Sequence, residues 1–162
     1  MVVLDIEASF SADIRGNEED SQDRIDLVLL ETERNRLLFV EVKLLSNPEI
    51  RASGNHTPAV VEQIMNYRRQ IDHRHDEIVK AYCDYTNAVN HLFQLKLPNP
   101  VSVIQKVPLL IVDYDGDQRN GRLQNTKHQL AREGVICLHI GDTNSARQET
   151  LSQWIRKVDK FR

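Results

Sequence analysis

Cysteine is nearly missing from this chain: only Cys83 and Cys137 occur, far apart and without a CxxC pair. Two such residues read as small buried hydrophobes in a reduced, cytoplasmic setting rather than as a disulfide. No apolar run approaches the roughly 18 residues of a membrane helix, so no membrane span is expected. The opening MVVLDIEASF carries acids and no basic stretch, unlike a signal peptide. There is no Gly-rich phosphate loop, no G-x-S-x-G and no H-E-x-x-H. Positive net charge is missing too: 24 acids against 21 bases leave −3, which argues against a general nucleic-acid-coating protein. What is there fits one soluble domain spanning 1–162, with 40% hydrophobic and 28% charged residues and enough length for a single core.

The charges are unevenly spread. Residues 1–49 hold twelve acids against five bases, whereas 118–132 hold Arg119, Arg122, Lys127 and Arg132 and no acid. An acidic metal-binding end and a basic phosphate-binding patch give this asymmetry, and so do ordinary solvated faces.

Local patterns predict strands at 2–10, 25–30 and 37–45, the last two joined by the polar loop TERN with Asn35 in a left-handed conformation. Residues 11–23 and 46–57 read as loops. Thr57 is expected to N-cap a helix with Pro58 at its first position, running to about Leu95 with a break near 72–76. The continuous apolar run 107–115 reads as a central strand. A helix over 123–133 with Gly134 as C-cap, a strand over 135–141 and a helix from about Ser145 complete the order. Gln148 would complete a capping box with Ser145, and Leu151, Trp154, Ile155 and Val158 form the last helix's apolar face. This order specifies an α/β or α+β sheet domain.

The hairpin carries the chemistry. Centring its loop between Glu33 and Arg34 sets Ile25 opposite Val42, Leu27 opposite Val40 and Leu29 opposite Leu38, a wholly apolar face. The same register sets Asp26 opposite Glu41, with Lys43 two residues along the same side. Two facing carboxylates repel, and a divalent cation that takes oxygen ligands removes that penalty. A lysine beside it holds or helps deprotonate water, or neutralises charge on a phosphate oxygen. The alternative is a surface hairpin in which Lys43 merely offsets both acids.

IDLVLL, a polar hairpin and then FVEVK together resemble the signature of the PD-(D/E)xK nuclease superfamily. Asp26 matches its first acid, Glu41 its second and Lys43 its lysine; Ile25 stands where the signature's weakly kept proline would be. The resemblance implies a restriction-endonuclease-like fold, a mixed β-sheet whose central catalytic hairpin is flanked by helices. It also implies hydrolysis of nucleic-acid phosphodiester bonds, DNA before RNA, with Mg²⁺ or Mn²⁺ held at Asp26, Glu41 and Val42. Gln63 and Tyr67, in QIMNY, resemble the QxxxY element of RecB-type members and lie on one helix face. That would add them to the catalytic set, although Tyr67 also falls in the Val60–Ile64–Ile71 core stripe. The iron–sulfur cluster of some RecB-type members needs four cysteines, so none is expected here. The helix that usually opens the family core is not evident. It would be absent, replaced, or cut from a larger protein, with a homodimer or a partner subunit as the partners this suggests, and Glu7 on the first strand would supply its acid or simply face solvent.

Arg51, Arg68, Arg69, Arg119, Arg122 and Lys127 are the candidate phosphate contacts. His73 and His75 read as solvated, His56 as a loop residue that could approach the site but more simply does not, and His128 and His139 as lacking evident partners. Asp113 and Asp115 read as turn-forming acids. Two rival functions remain: a non-cleaving binding or scaffold domain of the same fold, and a hydrolase of a small phosphorylated molecule, for which no phosphate loop is present.

Overall fold

A computed structural model describes residues 1–9, 24–52, 56–141 and 148–161 of the chain, with side chains from 153 onward in the last segment. The described residues form a mixed α/β fold built on a six-stranded sheet. In chain order the elements are β1 (Val2–Ser9), β2 (Arg24–Glu31), β3 (Arg36–Leu44), α1 (Ala59–His73), α2 (His75–Phe93), β4 (Ser102–Val103), β5 (Leu109–Val112), α3 (Gly116–Asn120), α4 (Arg122–Arg132), β6 (Cys137–Ile140) and α5 (Gln148–Lys160). A 3-10 turn, Pro48–Ile50, follows β3.

The sheet order is β1-β2-β3-β5-β6, with β4 also on β3. β1, β2 and β3 are antiparallel neighbours, whereas β4 and β5 run parallel to β3, and β6 parallel to β5. The hairpin register is the one expected: Leu27 pairs with Val40 and Leu29 with Leu38, and Asn35 at φ 54° closes the loop.

β3 is apolar on both sides because both sides are covered. Val28, Leu30, Leu37 and Phe39 pack with Val60, Ile64, Tyr67 and Ile71 of α1 and with Leu123 and Leu130 of α4. On the reverse face, Leu29, Leu38 and Val40 meet Trp154, Ile155 and Val158 of α5. This corrects the one-sided hairpin inferred from the sequence. Ile25 also departs from its expected place: it joins the Phe39 cluster while Val42 packs in the other, so the alternation breaks at Asp26.

The long helix is two helices. Arg74, at φ −111° and ψ 22°, separates α1 from α2. Thr57 is not the N-cap: α1 starts at Ala59, Pro58 occupies the cap position, and no side chain caps it. The 107–115 run keeps only four residues in the sheet, because Asp113 turns to φ 59°. Asp115 then N-caps α3 through a capping box with Gln118. The sequence pattern indicates neither α3 nor β4. Gly134 takes the left-handed conformation, φ 73°, just past α4. Phe10, the 11–23 loop, Ser145 and the Gln148 and Leu151 side chains lie outside the described residues.

Candidate active site

The β2–β3 ladder ends at Leu27 and Val40, one step short of the acids. Along β3 the amides alternate between neighbours. Glu41 N donates to Pro108 O on the β5 side, so Val42 N points to the β2 side. There the Asp26 carboxylate takes the place of a strand carbonyl: its Oδ2 accepts from Val42 N at 2.7 Å. Val42 therefore meets the site through its amide, which holds Asp26 against β3.

Glu41 is 1% exposed. Its Oε1 lies 3.0 Å from Lys43 Nζ, while Oε2 is buried without a hydrogen-bond partner. Burial pushes its carboxyl pKa up to about 7; the Lys43 hydrogen bond opposes the rise and the neighbouring Asp26 carboxylate adds to it. Asp26 and Glu41 thus sit close, although no ladder pair joins them, and each disfavours the other's charge.

Lys43 bridges two acids. Its ammonium lies 3.0 Å from Glu41 Oε1 and 2.9 Å from Glu49 Oε2. Burial lowers its pKa, but the hydrogen bonds to Glu49 and Glu41 outweigh burial and hold it above the ordinary lysine value. A lysine so held is a cation and a hydrogen-bond donor, not a proton acceptor. Sequence reasoning missed Glu49. Its place depends on the 3-10 turn, in which the Asn47 side chain accepts from Glu49 N. The segment Asn47-Pro48, an Asx acceptor followed by proline, was the available signal.

Gln63 and Tyr67 do meet. Gln63 Nε2 donates to the Tyr67 hydroxyl at 2.8 Å, and that hydroxyl donates to Arg24 O. Tyr67 is also core, 1% exposed, as its place in the Val60–Ile64–Ile71 stripe predicts. Its polar end ties α1 to the start of β2, two residues from Asp26.

The remaining candidates scatter. Arg51 donates to Ser46 O and Asn47 O and closes its own loop. Arg68 is half-buried and donates to Gly134 O at 3.3 Å, while its Nε is buried without a partner and burial lowers its pKa. Arg69 is exposed and bonds Asn66 on its own helix. Glu7 is exposed, 3.8 Å from Arg24, and stands apart from the acids. His73 is exposed, but His75 is not merely solvated, because its Nε2 accepts from Val103 N at 3.2 Å. His139, expected to lack a partner, bonds Tyr114 at 2.7 Å.

Among the described residues no group of three or more His, Cys, Asp or Glu side chains is arranged to hold a metal. Two carboxylates suffice for Mg²⁺, which keeps several waters and commonly takes one or two protein acids plus substrate phosphates. The unpartnered Glu41 Oε2 beside Asp26 fits such a cation. No helix among the described residues is long and apolar enough to cross a membrane. Compared with known family models, curated proteins and solved structures, the chain has no significant match.

Proposed function

We propose that this chain is a metal-dependent nuclease of the PD-(D/E)xK type, hydrolysing phosphodiester bonds of nucleic acid, DNA before RNA. One observation carries the reading: a buried carboxylate oxygen, Glu41 Oε2, lacks any partner while a second acid, Asp26, crowds it and a lysine stands alongside. Lys43 offsets the buried Glu41 charge only in part, since its pKa still rises to about 7, and a divalent cation would offset the rest. The mixed sheet with the β2–β3 hairpin at its middle supports the restriction-endonuclease-like fold that the sequence resembles.

Asp26 and Glu41 would hold Mg²⁺ or Mn²⁺. When bound, the ion supplies Lewis-acid polarisation of the phosphate and a more acidic water. Lys43, charged and held at 3.0 Å from Glu41, donates hydrogen bonds to the attacking water or to a phosphate oxygen as its charge grows. Val42 N fixes the Asp26 carboxylate. Gln63 and Tyr67 are positioning residues that act through the Arg24 carbonyl on the strand bearing Asp26.

The test is incubation with linear, circular and single-stranded DNA, and with RNA, under Mg²⁺, Mn²⁺ and EDTA. Metal-dependent cleavage of at least one substrate is expected. Metal binding without cleavage of any of them would leave a non-cleaving scaffold in its place.

A further inference from the structure

A second group of polar side chains lies in the same row of the sheet as Lys43. Lys43, Ile111 and His139 are register partners across β3, β5 and β6. Two strand spacings, about 10 Å, therefore separate Lys43 from His139. His139 is half-buried, and its Nδ1 shares a 2.7 Å hydrogen bond with the Tyr114 hydroxyl. The two rings meet edge to face at 5.9 Å. Tyr114 lies against Gly141, where an added Cβ would stand 2.9 Å from a ring carbon, so the glycine makes room for this ring.

The charges of Lys127 on α4, Lys157 on α5 and Arg119 on α3 bear on the imidazole. Burial first, then these three, push its pKa down to about 4. Lys157 is engaged, donating to Cys137 O at 2.6 Å. Among the described residues Lys127 makes one long contact, 3.5 Å, to Gln124 Oε1. Among the described residues neither Arg119 nor Lys127 enters an ion pair. Three cations whose charge bears on the imidazole, none of them in an ion pair among the described residues, suit an anion.

We propose that Tyr114, His139, Arg119 and Lys127 form an oxyanion subsite that takes a second phosphate of the strand cut at Asp26, Glu41 and Lys43. The assignment to a nucleic-acid strand rests on the nuclease reading. The Tyr114–His139 pair suits the task. With the imidazole neutral, one partner donates and the other accepts. Once an anion draws a proton onto the ring, Nδ1 must donate to the tyrosine oxygen, and both Nε2–H and the tyrosine O–H become free to donate outward. Charge-assisted hydrogen bonds of this kind are the strong ones.

The probe is inorganic phosphate, added in EDTA to the full chain at about pH 6, where an ordinary histidine titrates. Ring protons of His139 are followed by NMR and assigned with His139→Gln. Phosphate should move them toward the protonated position, as the midpoint climbs from about 4 toward the ordinary 6.5. Lys127→Gln and Arg119→Gln should each weaken the response several-fold, and Glu41→Gln should leave it intact. Unmoved His139 signals at saturating phosphate overturn the subsite. Where the wild type cleaves DNA, Tyr114→Phe, which keeps the ring, should raise KM about tenfold. An unchanged KM removes the subsite from the strand. If nothing is cleaved yet His139 responds to phosphate, the nuclease reading fails and the anion site stands.

Discussion

On β3, two residues from Lys43, and on β6, two titratable groups are pushed toward their neutral forms by the same physics with opposite sign. Glu41 is buried beside another carboxylate, and its pKa rises to about 7. His139 is half-buried among three cations, and its pKa falls to about 4. Lys43 touches Glu41 and still does not bring its pKa back to the ordinary range, whereas no described carboxylate pairs with Arg119, Lys127 or Lys157. Burial decides both cases, and the like-charged neighbours decide which counter-ion each group is short of: a cation at Glu41, an anion at His139. A substrate that is a metal–phosphate polymer satisfies both ends at once.

The largest expected effect separates charge stabilisation from metal binding at the first end. Lys43→Ala should reduce cleavage by about 10²- to 10³-fold, the usual loss for one group aimed at developing charge. Mn²⁺ should still raise the melting temperature, because Asp26 and Glu41 remain. Near-wild-type turnover in this variant would remove Lys43 from the mechanism.

Next comes the pH dependence of stability in EDTA, which distinguishes the two ends by sign. A carboxyl whose folded pKa is about 7 and whose ordinary value is 4.5 binds its proton more tightly when folded. Its cost is absent below pH 4.5, grows as pH rises, and is complete above about 7. Glu41→Gln should therefore stabilise the metal-free chain at pH 8 by on the order of 3 kcal/mol, and scarcely at all at pH 4. His139 runs the other way: its folded pKa lies below its ordinary value, so stability falls as pH drops from 6.5 through about 4. His139→Gln should flatten that acid-side loss. Denaturant melts across this range check both slopes, and equal Glu41→Gln effects at both pH values would mean the carboxylate is compensated.

The two ends were not equally legible in the sequence. A hairpin is local: TERN and the alternation around it were enough to pair Leu27 with Val40 and bring Asp26 to Glu41. The Gln63–Tyr67 bond follows from helical spacing alone. What lay beyond reach depended on distant packing. The parallel register that aligns His139 with Lys43 spans two crossovers, through α1 and α2 from β3 to β5 and through α3 and α4 from β5 to β6, and no local pattern records it. Ile25 changes face because the Asp26 side chain, not a strand carbonyl, takes the Val42 amide. The break at Arg74 occurs without glycine or proline, so periodicity could place it only loosely, near 72–76.

A smaller effect tests how the first end is held. Tyr67→Phe keeps the buried ring but loses the bonds to Gln63 and Arg24 O. About 1 kcal/mol of stability should go, lowering the melting temperature by roughly 2–4 °C. If the hydroxyl also positions β2, kcat should fall while KM stays near wild type. An unchanged melting temperature would mean that the ring alone holds α1 to the sheet.

The smallest effect sorts the arginines that the sequence grouped together. Arg68 turns inward to Gly134 O, whereas Arg119 and Arg122 are exposed and Lys127 is half-buried with one long hydrogen bond. Removing one cation that neutralises a phosphate should reduce the log–log salt slope of duplex binding by about 0.9. Neutralising Arg119, Arg122 and Lys127 together should flatten the slope on all sequences alike. Arg68→Gln should lower the melting temperature and leave the slope untouched. Binding titrations at several salt concentrations separate these outcomes. An unchanged slope in the triple variant would confine the DNA to the hairpin end and break the pairing of the two sites.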